Sequence, residues 1–232
     1  MPDPRTYHFD LPTAGKPDSL PLAEQWYPGV KDAAFETSSS RIFDPINGIR
    51  AVVIHATAGS SSAGAVSVIM DRRASFHWLV PDEDEEAHGK TVWATCFEAR
   101  AAWHVRNDKS HPKIWDGHNR VNHFSLGIEV VNAQVHDDFS EWQVEATASI
   151  VRYCWAKYPN LRHVCSHAML DPERRTDPGA HFDWERFRSL VLSPVAVATG
   201  EFVAVAPAMR SNGVPQVLSC CMDEVGASAS VA

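Results

Sequence analysis

Ile49-Arg50-Ala51-Val52-Val53-Ile54-His55-Ala56-Thr57 reads as a buried β-strand: it is short, β-branched and apolar on both faces. It ends in a histidine, followed by Gly59 and Ser60-Ser61-Ser62. Open α/β sheets bind ligands at the carboxyl ends of their strands, so His55 is placed where such a fold puts chemistry. The plain alternative is a core histidine hydrogen-bonded to backbone. Beyond it, Ser60 to Met70 has helical spacing, with serines available as N-caps.

A second run of this kind is Ser125-Leu126-Gly127-Ile128-Glu129-Val130-Val131-Asn132. Glu129 stands among apolar neighbours, where a carboxylate is expensive to bury unless it is paired or working. Otherwise it belongs to an edge strand and points to water. Ser75–Val80 reads as a strand containing His77, and Thr91–Ala94 as its return, with the acidic run 82–86 as the solvated hairpin turn between them. Ser140 to Tyr158 is the clearest helix, with Ser140 and Gln143 spaced as a capping box. Arg162–Ser166 reads as a short strand, and 182–192 as a last helix. The polar stretch from Val105 to Phe124 is long enough to be either functional or mobile, with its histidines facing solvent. The sum is an α/β fold.

Between the last strand and last helix lies Ser166-His167-Ala168-Met169-Leu170-Asp171-Pro172-Glu173-Arg174-Arg175-Thr176-Asp177-Pro178-Gly179. Asp177-Pro178-Gly179 continues neither a helix nor a central strand, so Asp177 sits at a turn. A histidine and a carboxylate at the two ends of a tight loop could share one metal ion, both being ordinary zinc ligands. A surface loop with a helix-capping aspartate fits the same residues.

Residues 1–46 are rich in proline and polar groups and are expected to form an arm over the domain at 47–192. Residues 193–232 shift to Ala, Val, Ser and Gly and are expected to be a partly disordered tail. No stretch approaches the roughly 18 apolar residues of a membrane helix, and the polar, proline-broken start lacks the pattern of a signal peptide. The expectation is a cytoplasmic monomer without a membrane partner. A net charge of −8 argues against nucleic acid, whose binding is driven by basic residues. The five cysteines include no C-x-x-C pair, which argues against a cysteine zinc site.

Five short words occur in one order: Val53-Ile54-His55-Ala56-Thr57, Phe76-His77-Trp78-Leu79-Val80, Ala102-Trp103-His104, Leu126–Asn132 and Arg175-Thr176-Asp177-Pro178-Gly179. Together they resemble the type-2, zinc-dependent N-acetylmuramoyl-L-alanine amidases, which share a fold with peptidoglycan recognition proteins. The resemblance covers about residues 48–192. It implies a central mixed β-sheet flanked by helices and one zinc ion held by His55, His167 and Asp177. Glu129 would be the catalytic glutamate, and Arg175 would stand where much of the family has lysine. His77, His104 and Trp78 would line or support the substrate cleft, with Trp78 or Trp103 either stacking on sugars or packing in the core. Two imidazoles and a carboxylate leave a tetrahedral zinc with an open position, as in catalytic sites. The substrate would be peptidoglycan or a muropeptide, cut between N-acetylmuramic acid and L-alanine. A non-catalytic peptidoglycan-binding module is the rival. Muropeptide recycling and a phage-type lysin, released through a lysis system, are both open settings.

Overall fold

The strand runs become β4 (Ala51–Ala56) and β8 (Ser125–Val130). A computed structural model describes residues 2–134 and 137–193. The other strands are β1 (His8–Asp10), β2 (Glu24–Trp26), β3 (Ser38–Ser40), β5 (Trp78–Val80), β6 (Val92–Ala94), β7 (Arg100–Ala102) and β9 (His163–Ser166). The helices are α1 (Lys31–Glu36), α2 (Ser62–Met70), α3 (Glu141–Lys157), α4 (His167–Leu170) and α5 (Trp184–Leu192). Seven strands make one mixed sheet in the order β1-β9-β4-β8-β5-β6-β2, and β3 pairs with β7. The expected mixed sheet flanked by helices is therefore present.

The centre of the sheet, β9-β4-β8-β5, is parallel throughout. Parallel strands need cover on both faces, which is why β4 and β8 read as unbroken apolar runs. On one face Val52, Ile54, Leu126 and Ile128 pack with Val144, Ile150 and Val151 of α3 and Phe187 of α5. Each such side chain contributes about 1.5–3 kcal/mol by leaving water. On the other, Ala51, Val53 and Cys165 meet Val105, Ile114, Val121, Phe124 and Met169. The stretch 105–124 is thus a packed cover over half of that face. Its two three-residue 3-10 turns, 115–117 and 121–123, carry no period a sequence reader can use.

Caps fall where the residue types place them. Ser61 caps α2, Ser140 and Gln143 close a complete capping box on α3, and Asp183 caps α5. The acidic run does connect β5 to β6, but Glu85 is not merely solvated. Its carboxylate accepts from Ser62 N at 2.9 Å and binds Ser62 Oγ, adding a negative charge at the α2 N-terminus.

Residues 1–46 do more than lie across the domain. They supply β1 and β2, the outermost strands at the two ends of the sheet. Three-residue strands are too short to show alternation, so nothing in the sequence announces them. Arg41, from the same segment, reaches in to donate to the carbonyls of Glu98, Asn122 and Ser125. The expected tail lies, from residue 194 on, outside the described residues. Among the described residues no helix is long and apolar enough to cross a membrane.

Candidate metal centre

Register builds the site. In the parallel pair β4–β8, His55 lies opposite Glu129. In β4–β9, Ile54 lies opposite Ser166, so His167 is the next residue along. His167, His55 and Glu129 therefore form one row across three adjacent strands, at the carboxyl edge of the sheet. Period-2 alternation puts His55 and Glu129 on the same face. This is the strand-end position at which open parallel sheets hold ligands.

Asp177 comes from the loop after α4. That loop is pinned at both ends: Ala168 N donates to Asp177 O at 3.0 Å, and Gly179 N donates to Thr176 O at 2.9 Å. Gly179 has φ +93°, a conformation that costs glycine nothing and other residues strain. In the loop interior Asp171 is buried, ion-paired with Lys109 at 2.9 Å and with Arg174 at 3.3 Å. Across the cleft Gln134 donates to Ala56 O and accepts from Thr176 Oγ1, tying the loop to the end of β4.

The result is a tight triad. His55 Nδ1 is 3.0 Å from His167 Nδ1 and 3.3 Å from Asp177 Oδ2, and His167 Nδ1 is 3.0 Å from Asp177 Oδ2. Zinc bonds of about 2.0–2.1 Å place neighbouring tetrahedral donors about 3.3 Å apart, so these three atoms have the spacing of a shared ion. All three residues are buried.

Hydrogen bonding decides which nitrogen of His55 is free. Ser125 Oγ gives its only proton to Val121 O at 2.7 Å, so at His104 Nε2, 3.1 Å away, it must accept. His104 then has a bare Nδ1, which accepts from His55 Nε2 at 3.0 Å. His55 is left with a lone pair on Nδ1, the atom in the triad. Metal-binding histidines characteristically donate their second N–H in this way, which fixes tautomer and ring orientation. Electrostatics agree. Burial, with repulsion from His167, lowers His55 to about 4. Burial also holds His104 well below the usual histidine value. Burial pushes Asp177 up, but interaction with the two histidines, led by the hydrogen bond from His167, outweighs it and keeps the carboxyl below the usual range. Two imidazoles and one carboxylate make a donor set suited to a divalent cation.

The triad opens into a cleft of about 450 Å³, lined also by His104, Glu129, Gln134 and Arg175. Glu129 is half-buried there. Desolvation, with the charge of Asp177, raises its pKa well above the ordinary carboxylate value, and Arg175 only partly offsets this. Arg175 itself is exposed on the rim.

Two residues expected at the cleft are elsewhere. Trp78 is 1% exposed, in the α3-facing core, with its indole N–H donating to Glu24. A strand residue one register step from the site faces the opposite side of the sheet. We expect Trp78→Ala to cost about 3–5 kcal/mol in unfolding by denaturant, an effect of packing. His77 is fully buried and outside the cleft. Its Nδ1 accepts from Gly127 N at 2.9 Å and its Nε2–H donates to Arg100 O at 3.1 Å. It is a structural histidine, lowered to about 3 by burial and by Arg41. Trp103 is 38% exposed, with its indole N–H donating to Ser39 Oγ at 3.0 Å.

Gly127 is the residue whose signal was available and unread. A Cβ there would lie 2.7 Å from the His104 ring. Glycine inside a strand marks a close approach by another group, and here the group is the imidazole that orients His55. Gly127→Ala should displace His104 and weaken metal binding by about 10–100-fold, as removal of such supporting groups does. Chelator competition on the folded variant measures this.

The family model described as N-acetylmuramoyl-L-alanine amidase matches residues 45–180, more than half of the chain. The chain belongs to that family. Among curated members of the amidase family, AmiD of Escherichia coli is 29% identical over 148 residues, 60% of this chain and 51% of that protein. The 1,6-anhydro-N-acetylmuramyl-L-alanine amidase AmpD of Salmonella typhimurium is 33% identical over 120 residues, 51% and 58% of the two chains. The chain thus spans just over half the length of these relatives. The crystal structure of AmpDh3 from Pseudomonas aeruginosa shares the fold, with TM-score 0.55 at 24% identity over 62% of this chain and 60% of that one. The E. coli AmiD structure has TM-score 0.52 at 28% identity, over 62% of this chain and 58% of that one. It is a complex with anhydro-N-acetylmuramic acid-L-Ala-D-gamma-Glu-L-Lys.

Proposed function

We propose that this member of the amidase family is a zinc-dependent hydrolase that cuts the amide between N-acetylmuramic acid and L-alanine in peptidoglycan or muropeptides. The observation that carries the reading is the row of His167, His55 and Glu129, closed by Asp177 over one cleft. His55, His167 and Asp177 would hold the ion, and the tautomer set by His104 and Ser125 supports that donor set. When bound there, zinc supplies Lewis-acid activation of water and of a carbonyl.

The remaining chemistry belongs to side chains of the chain. Glu129 takes the proton of the attacking water as it adds to the lactyl carbonyl carbon. It then returns that proton to the departing L-alanine nitrogen as the C–N bond breaks. A raised pKa suits a group that must both accept and give up a proton near neutrality. Arg175 on the rim offers fixed positive charge to the developing oxyanion. Residues 47–192 would form the catalytic domain, working as a monomer, with 1–46 completing its sheet. The name of the AmpD relative favours a 1,6-anhydro-N-acetylmuramyl substrate. All three ligand residues are present, which favours an enzyme over a binding module of the same fold.

Mass-spectrometric product analysis on sacculi and on soluble anhydro-muropeptide, with and without chelator, tests this. Chelator-sensitive release of free stem peptide is the expected result. Binding to either substrate without release under zinc-replete conditions would favour the binding module.

A further inference from the structure

A second group of the same composition lies at the sheet edge, away from the cleft. In the antiparallel pair β1–β9, Asp10 sits opposite His163 and His8 opposite Cys165. Alternation puts His8 and Asp10 on one face of β1, beside His163. Asp10 Oδ1 is 2.9 Å from His163 Nδ1 and 3.2 Å from His8 Nε2, and one donor atom from each residue lies within 4.8 Å of the others. His8 Nε2 is buried and has no hydrogen-bond partner, although Asp10 Oδ1 is so near. A buried acceptor or donor left unmatched is costly. Two polar atoms at that separation without a hydrogen bond have the spacing of two ligands on one ion.

We propose that His8, Asp10 and His163 form a second divalent-cation site, distinct from the cleft, that clips β1 to β9. Two imidazole nitrogens and one carboxylate oxygen select a borderline metal such as Zn2+, not Ca2+ or Mg2+, which want oxygen donors. Asp10 is 66% exposed, so the ion has a way in and water can complete its shell. Two existing bonds oppose it. His163 Nε2 accepts from Trp115 N at 3.3 Å, so its Nδ1 carries the ring proton and donates to Asp10 Oδ1 at 2.9 Å. Ligation through Nδ1 moves that proton to Nε2 and replaces both bonds, so this site is the weaker of the two. The clip matters because β1 holds the sheet edge by a three-residue ladder, on the strand whose end delivers His167. His163 and His167 are about 13 Å apart along an extended chain, far enough for two separate ions.

The test is zinc stoichiometry of the metal-stripped full chain, by equilibrium dialysis against buffered Zn2+ and metal analysis. His8→Gln and Asp10→Asn are each expected to bind one equivalent less than the unsubstituted chain. His55→Gln should also lose one, and the His8→Gln/His55→Gln double variant two. The edge-site variants should keep the cleft ion and amidase turnover. Asp10 is a surface side chain, so Asp10→Asn is a safe second variant if His8→Gln folds poorly. The proposal is overturned if His8→Gln and Asp10→Asn bind as much zinc as the parent. It is equally overturned if the parent binds no more than His8→Gln does. Failure of the amidase reading would show instead as a full zinc complement without product.

Discussion

Glu129→Gln should lower amidase turnover by about 10²–10⁴-fold while leaving the zinc content of the cleft unchanged, the usual span for a general acid–base group. Glutamine keeps the shape and can still hydrogen-bond, but it cannot carry the proton from water to the leaving nitrogen. The same substitution should stabilise the metal-free protein at neutral pH. Desolvation raises the Glu129 pKa in the folded state. A raised folded pKa means that burial is tolerated while the group is protonated and works against folding once pH climbs toward the folded value. The advantage of Glu129→Gln should therefore be absent below about pH 4, the ordinary carboxylate range, and open as pH rises. Each kcal/mol recovered raises the melting temperature by about 2–4 °C in a chain of this size. Thermal denaturation of chelated protein across pH, beside turnover at saturating zinc, reads both halves. Near-parental turnover would sink the role given to Glu129.

Asp177→Ala should lose both metal and turnover, the second large effect. It removes one of three ligand atoms and also the acceptor for His167 Nδ1–H, which sits 3.0 Å away in a buried site. Only the bare Nδ1 of His55, 3.0 Å away, then remains to accept from it. The depressed folded pKa of Asp177 sets the pH trend: its contribution is full above the ordinary aspartate range and fades on acidification through its lower folded value. Zinc affinity should also fall on the acid side, because His55 must be unprotonated to bind. Zinc competition titrations from pH 7 down to pH 3 should show binding in the parent weaken as pH approaches about 4, where His55 takes up a proton. Asp177→Ala should be weak throughout. A variant that retained parental affinity would remove Asp177 from the ligand set.

How much of this could be read from residues alone depends on the length scale of the signal. The runs 49–57 and 125–132 are visible because a strand buried on both faces must be apolar at every position. The helix at 141–157 is visible because its cap and its period are local. His55, Glu129, His167 and Asp177 stand out as polar groups placed where burial or turn chemistry makes them expensive. Trp78 was misplaced because a motif word names residues in sequence order, whereas a strand sends neighbours to opposite faces. The edge strand of His8 and Asp10 was invisible because three residues show no period.

The amino-acid sequence by itself determined that this is an α/β chain with a histidine, a glutamate and a His…Asp loop at the ends of buried elements. Only the tertiary structure decided that β9, β4 and β8 are adjacent and in register, so that residues as far apart as 55 and 167 present nitrogens 3.0 Å from each other. Only it showed that a glycine in β8 leaves room for His104 to set the tautomer of His55. The reason is physical: propensity and burial act over a few residues and leave a local trace. Strand adjacency and ring-to-ring hydrogen bonds are settled by packing between segments that share no local pattern.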